Sequence, residues 1–326
     1  MKKKLSLLIL TLVLAVVVAA CGTQSSSSTT EKEETTGNSA ETAAAEEKEL
    51  TIQHQLGEAV VPKNPEKVVV FDFGVLDSLD KLGVEVTGVP QANIPSYLSK
   101  YEDSKYENVG GLKEPDFEKI SEIAPDLIII SGRQQDSYEE FSKIAPTIFM
   151  GVDTASYMES YKKNATTLGD IFGKEDVVKE ELAKVEESAQ KLNETASATG
   201  KNALIILANE GNLSAYGAGS RFGIIHDVFG FTPADKNIEV STHGQNVSFE
   251  YIAEKNPDYL FVIDRGAAVA EGESSAKQLV ENELVKNTKA YKDGNIIYLD
   301  PDFWYLSGGG LVSVAEMVKE VEEGIK

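Results

Sequence analysis

The chain is poor in the residues that most often carry chemistry: of 326 residues one is cysteine, three are histidine, three are arginine and one is tryptophan. A lone cysteine, Cys21, excludes an internal disulfide framework and any paired-cysteine zinc site, so stability has to come from a hydrophobic core. Basic residues number 31 against 53 acids, a net charge of −22. A nucleic-acid partner needs a basic face, and this balance excludes one. Acidity on its own serves mainly solubility.

The ends of the chain are organised differently from its bulk. Lys2, Lys3 and Lys4 precede an apolar run from Leu5 to Val18, and Val18-Ala19-Ala20 leads to Cys21. This is the layout of a secretory signal over residues 1–20. The run is short for a bilayer span of about 20 residues. Val-Ala-Ala-Cys resembles a bacterial lipobox, which implies that Cys21 is lipidated and begins the mature protein. The folded part is then expected on the outer face of the cell membrane of a Gram-positive bacterium. Residues 21–48 are rich in Ser, Thr, Glu and Ala without an aromatic residue, and read as a solvated tether. Removal of residues 1–20, which hold three lysines and no acid, takes the charge from −22 to −25.

A gapless repeat divides the remainder. Phe117-Glu118-Lys119-Ile120-Ser121-Glu122-Ile123-Ala124-Pro125-Asp126 precedes the apolar Leu127 to Ile130 and then Arg133. At a spacing of 132 residues, Phe249-Glu250-Tyr251-Ile252-Ala253-Glu254-Lys255-Asn256-Pro257-Asp258 precedes Tyr259 to Ile263 and then Arg265. Asp116 and Ser248 are N-cap types before an apolar stripe at i, i+3. Pro-Asp ends each helix, and the apolar run after it suits a strand buried on both faces. The chain therefore reads as α/β, with two Rossmann-like lobes of parallel-rich sheets. Residues 49–153 form the N-terminal lobe and residues 200–326 the C-terminal lobe. Residues 154–199 form a helical linker whose second half, about Glu175 to Ala198, is rich in helix formers.

Lysine is the ordinary cation here, supplying 28 of 31 basic residues, so Arg133, Arg221 and Arg265 each call for an explanation. Arg133 and Arg265 follow the C-terminal ends of their strands, the edge where open parallel sheets bind ligands. Arg221 stands in a Gly-rich loop, Gly217 to Phe222. Guanidinium offers a planar fork suited to carboxylate, phosphate or catecholate oxygens. Among the histidines, His243 lies in the polar loop Ser241 to Asn246, free to point into a cleft. Tyr305, in Asp302-Phe303-Trp304-Tyr305, is the aromatic residue there with an oxygen to offer.

Together these stretches resemble the iron-siderophore substrate-binding proteins of ABC importers. The similarity rests on Ser131-Gly132-Arg133-Gln134, Ser220-Arg221-Phe222-Gly223, Thr242-His243-Gly244, Asp264-Arg265, and Leu299-Asp300-Pro301 with Trp304-Tyr305-Leu306. It is nearest to the subgroup taking catecholate and mixed catecholate–citrate siderophores, petrobactin among them. The resemblance implies a class III binding-protein fold, no intrinsic cofactor, a ferric siderophore as transported ligand, and a monomer that is not an enzyme. It assigns the three arginines to the anionic complex, and His243 and Tyr305 as side chains able to ligate Fe(III) where the siderophore leaves positions open. It further implies docking to a membrane permease through one acid per lobe, here Glu118 and Glu250, with Glu114 the nearest rival.

Other readings stay open at this level. Gly217-x-Gly219 lacks the third glycine of a dinucleotide fingerprint, because Phe222 stands there, and no P-loop lysine pattern occurs. Heme, cobalamin or a hydroxamate siderophore remains a possible chelate, and a surface adhesion module is the alternative class.

Overall fold

The computed structural model describes residues 48–269 and 276–326. The signal segment, Cys21 and the tether up to residue 47 lie outside the described residues. An antiparallel hairpin, β1 (Glu49–His54) with β2 (Gly57–Pro62), opens the described chain.

Five parallel strands form the first sheet: β3 (Val68–Val70), β4 (Gly88–Val89), β5 (Glu107–Asn108), β6 (Leu127–Ile130) and β7 (Thr147–Phe149). Their order, β5-β4-β3-β6-β7, reverses direction between β3 and β6. Such a switch point leaves a crevice at the carboxyl ends of the two strands. Arg133 lies just past the end of β6. Every residue of β6 is buried, as a strand covered by helices on both faces must be.

The second sheet comprises β8 (Asn202–Asn209), β9 (Asn212–Tyr216), β10 (Thr232–Pro233), β11 (Gln245–Val247), β12 (Tyr259–Asp264) and β13 (Ile296–Leu299). It is mixed, because β9 runs antiparallel to both of its neighbours, β8 and β11, while β8, β12 and β13 pair in parallel. The cause is local: Glu210 and Gly211 both take positive φ, 49° and 86°, so β8 returns directly as β9. Two consecutive left-handed residues are what a tight hairpin turn requires.

The repeat is structural. α1 (Phe73–Lys81) follows β3, and α2 (Phe117–Ile123) precedes β6. After α3 (Tyr157–Phe172) and α4 (Glu175–Thr199), α5 (Phe249–Lys255) precedes β12 as α2 precedes β6. Asp116 accepts from the Lys119 amide at 2.9 Å and Ser248 from the Tyr251 amide at 3.4 Å. Asp126 then accepts from the Lys67 amide at 2.8 Å, ahead of β3. Its counterpart Asp258 accepts from the Asn202 amide at 3.0 Å, at the start of β8. The Pro-Asp of each copy thus ties the neighbouring central strand to its own sheet.

Along α4 the buried positions Val178, Leu182, Val185, Ala189, Leu192 and Ala196 alternate by four and three, one face of a helix. At 25 residues it is about 37 Å long. Past β13 the chain crosses back, and α6 (Leu311–Gly324) packs on both α1 and α4. One continuous core therefore includes Leu76, Leu182, Ile205, Phe261 and Val318.

Ala124 and Asn256 end the two repeat helices in the left-handed region, at φ 48° and 43°. Asparagine tolerates that conformation and alanine does not. Ala124→Gly is expected to raise stability by about 0.5–1 kcal/mol. A urea unfolding midpoint that does not rise would show that the turn carries no strain.

Candidate functional site

Tyr305 sits in a wide helical turn, in which the Ser307 amide donates to the Asp302 carbonyl five residues back at 3.1 Å. Such expanded turns occur mainly where a side chain or carbonyl must be presented. This one presents both. Arg133 donates through Nη2 to the Tyr305 carbonyl at 3.0 Å, and Arg221 donates through Nη2 to the same oxygen. Arg265 donates through Nε to the Tyr305 phenol at 2.9 Å and through Nη1 to Asn209 Oδ1 at 2.7 Å. The Arg221 guanidinium also lies 4.3 Å from the centre of the Tyr305 ring, within cation–π range.

Three separate elements deliver these cations. Arg133 follows β6 in a turn fixed by Gln134, whose amide side chain accepts from the Ser131 amide at 3.1 Å and donates to the Leu112 carbonyl at 2.5 Å. Arg221 belongs to a loop braced by Asp227, which accepts from the Gly219 amide at 2.6 Å. Thr154, on the chain that leaves the first lobe, donates to the Gly219 carbonyl of that loop at 3.0 Å. Arg265 begins where β12 ends.

None of the three forms an ion pair with a carboxylate among the described residues; every recorded ion pair uses lysine. Burial, and then the neighbouring charge of Arg133, pull the Arg221 guanidinium down from its ordinary value. Burial alone would lift the Tyr305 phenol, but the Arg265 hydrogen bond and the charges of Arg221 and Arg265 outweigh it and hold the phenol below its usual range.

Two hollows open on either side of this knot. One, of about 260 Å³, is walled by Leu112, Lys113, Glu114, Arg133, Arg265 and Tyr305. The other, of about 290 Å³, is walled by Gln55, Arg133, Thr154, Tyr157, Arg221 and Trp304, again with Tyr305. Arg133, Tyr305 and Leu306 line both, so Tyr305 divides one cleft. A third hollow, between His54, Phe149 and Lys163, holds a single cation beside Asp153 and Glu159 and is not an anion site.

The structure therefore brings Arg133, Arg221, Arg265 and Tyr305 together. It does not bring His243 to them. His243 is exposed on the loop before β11 and lines neither hollow. Gly244 beside it takes φ +71° with its backbone against the Tyr216 ring, which lays the loop along the sheet edge. Glu118 and Glu250 are exposed in the first turns of α2 and α5. Asn209, Lys113 and Thr154 were not anticipated. Asn209 closes an apolar strand at its carboxyl end and was detectable there; Lys113 is one lysine among 28. No group of three or more His, Cys, Asp or Glu side chains among the described residues is arranged to hold a bare metal ion.

An absorbance titration should find Tyr305 ionising below the usual tyrosine value near 10, while burial pushes Tyr157 and Tyr161 upward. Tyr305→Phe should remove the earliest phenolate step. An unchanged curve would mean that the arginines do not hold the phenol.

Comparison with known proteins agrees with this architecture. The profile of the periplasmic binding protein family matches residues 68–303. The petrobactin-binding protein YclQ of Bacillus subtilis is 60% identical over 283 residues, 86% of this chain and 89% of that protein. Its crystal structure superposes with a TM-score of 0.83, covering 85% of this chain and 99% of that one. The catecholate-siderophore binding protein VctP of Vibrio cholerae is 38% identical with a TM-score of 0.82, covering 84% of this chain and 99% of its own. The ferric-anguibactin-binding protein FatB of Vibrio anguillarum is 32% identical over 285 residues, 85% of this chain and 88% of that protein. With that profile over most of the chain and a relative at 60% identity, the chain belongs to the periplasmic binding protein family.

Proposed function

We propose that this protein captures an anionic ferric siderophore of the catecholate, petrobactin-like type outside the cell and hands it to the permease of an ABC iron importer. The observation that carries the reading is the convergence of three arginines, none paired with a carboxylate among the described residues, on the walls of one cleft. Charges beyond roughly 8–10 Å are screened by salt, so this local cluster outweighs the overall negative charge. YclQ, FatB and VctP, binding proteins for petrobactin, ferric anguibactin and catecholate siderophores, supply the precedent for the ligand class.

On this reading Arg133, Arg221 and Arg265 hold the anionic oxygens of the complex, and Lys113 extends the positive wall. Tyr305 is the side chain placed to reach iron, since its phenol is already held toward the phenolate form. His243 would join it only by a movement of the loop 241–244. The siderophore brings the iron as cargo within its own oxygen donors. Lipidation of Cys21 would tether the lobes to the membrane, and Glu118 and Glu250, at equivalent places on the two lobes, would meet the permease. The binding unit is a monomer with no catalytic role.

Quenching of Trp304, the only tryptophan, by a panel of ferric siderophores tests the ligand class. Tight binding of a catecholate complex and weak binding of the neutral hydroxamate ferrichrome are expected; the reverse order would overturn the assignment. Arg133→Ala, Arg221→Ala and Arg265→Ala should each weaken binding by about 1–3 kcal/mol, as for a lost charged hydrogen bond. Normal binding by all three variants would sink the cleft reading.

A further inference from the structure

The turn that carries Tyr305 follows β13 of the second sheet, yet it is gripped from the first lobe. Ser96 donates through its amide, at 2.7 Å, and through its hydroxyl, at 2.5 Å, to the Asp302 carboxylate. The Tyr97 ring packs on Phe303 with centres 4.7 Å apart. The Tyr97 hydroxyl lies 3.0 Å from Asp77 Oδ2 on α1 and 2.7 Å from Ser307 Oγ, and the Ser307 hydroxyl in turn reaches the Asp302 carbonyl.

These contacts form a chain that the two hydroxyl protons alone cannot complete. Asp77–Tyr97, Tyr97–Ser307 and Ser307–Asp302 carbonyl are three links, and each needs one proton. Two hydroxyls carry two protons between them. If the carboxylate is ionised one link stays unmade. A protonated Asp77 supplies the third: its O–H donates to Tyr97, Tyr97 to Ser307, and Ser307 to the carbonyl. Oδ1 still accepts from the Val312 amide at 3.2 Å, and Oδ2 keeps a lone pair for the Ser313 amide at 2.9 Å.

We infer that Asp77 is a positioning residue for Tyr305, and that it completes a proton-counted chain fixing the Tyr305 turn when it is neutral.

The surroundings agree. Asp77 is fully buried and forms no ion pair among the described residues. The titratable groups that face it are Tyr97 from the turn 96–102 and Tyr157 and Tyr161 from α3, with Asp72 and Asp302 beyond them; all are neutral or acidic. From α6 it meets only amides and the Ser313 side chain. Burial accordingly pushes Asp77 up to about 7, against the opposing pull of the Ser313 and Val312 amides and Tyr97. A carboxyl raised in the folded state stabilises the fold fully below its unfolded value, and that contribution is lost as pH rises through the folded one.

The test is thermal and urea unfolding of the ligand-free, full-length protein from pH 5 to 9, for the parent, Asp77→Asn and Ser307→Ala. Relative to Asp77→Asn, the parent's unfolding constant should rise about tenfold per pH unit between roughly pH 5 and 7. Ser307→Ala removes the third link, so Tyr97 can give its proton to an ionised Asp77. Its slope should therefore shift to lower pH by about half a unit or more, although Asp77 is untouched. A uniform loss of stability with an unshifted slope would overturn the relay and leave Ser307 as a packing residue.

The link to Tyr305 rests on the proposed siderophore reading. Titration with a ferric catecholate at pH 6 and pH 8.5, read through Trp304, should show the parent-to-Ser307→Ala affinity ratio changing at least about threefold, since the ligand's own protonation cancels in the ratio. A constant ratio would overturn the positioning role. If no ferric catecholate binds at either pH, the functional reading fails, and the unfolding slopes alone decide the relay.

Discussion

A carboxyl group buried under the last helix, that of Asp77, holds the molecule's two halves in register. The first amides of α6 have no partners within that helix, and Gly310 before them has no side chain to cap them. Asp77 of α1 does it instead, accepting from Val312 and Ser313, while the neighbouring Ser78 hydroxyl accepts from Leu311 at 2.9 Å. The approach is so close that a Cβ at Gly310 would stand 2.0 Å from Asp77 Oδ1. The desolvation cost of the acid is offset by satisfying donors that would otherwise be buried unpaired. The Tyr305 turn and the start of α6 are thereby tied to the first lobe. Tyr305 keeps a fixed relation to Arg133, though 172 residues separate them.

The same turn is tied from its other side. The Trp304 indole N–H donates to Glu320 of α6 at 2.6 Å, and burial pushes Glu320 up to about 7. Asp77 and Glu320 thus flank the Tyr305 turn with two carboxyls that favour the neutral form, while the arginines in front of it stay charged. The acids behind the turn therefore do little to offset the positive charge in front of it. The lysines take the surface acids, which leaves guanidinium donors uncommitted to any carboxylate among the described residues.

Much of this was legible locally. The copies 117–133 and 249–265 announced helix, strand and arginine at equivalent sheet edges, because caps, apolar stripes and Pro-Asp act within a few residues. Three scarce arginines and one tyrosine, which the structure brings together, stood out by composition and by their place after strands. What escaped depends on long-range pairing. Asp77, in Leu76-Asp77-Ser78-Leu79-Asp80, reads as the polar face of an amphipathic helix; its true partners are 20 and 236 residues away. His243 stands apart from the arginines for a reason of the same kind, since Gly244 beside it is packed against Tyr216, 28 residues back in the chain. The reversed strand β9 of the second sheet follows from two left-handed residues, and Glu210 gives no hint of that conformation in sequence.

The arrangement around Tyr305 also bears on selectivity. Arg133 and Arg221 already donate to its carbonyl, and Arg265 to its phenol. A ligand entering the cleft therefore exchanges one set of acceptors for another rather than meeting bare cations. A neutral oxygen gains little in that exchange, since a neutral carbonyl is what it replaces. A charged catecholate or carboxylate oxygen gains more, because it adds direct Coulombic attraction to the guanidinium and can accept two of its donors at once. On the proposed reading Tyr305 would act as a threshold, satisfying the arginines in the empty cleft and yielding them to an anion. Fixing the turn from the first lobe sharpens that threshold, because an acceptor free to follow the guanidinium groups would compete with every ligand equally.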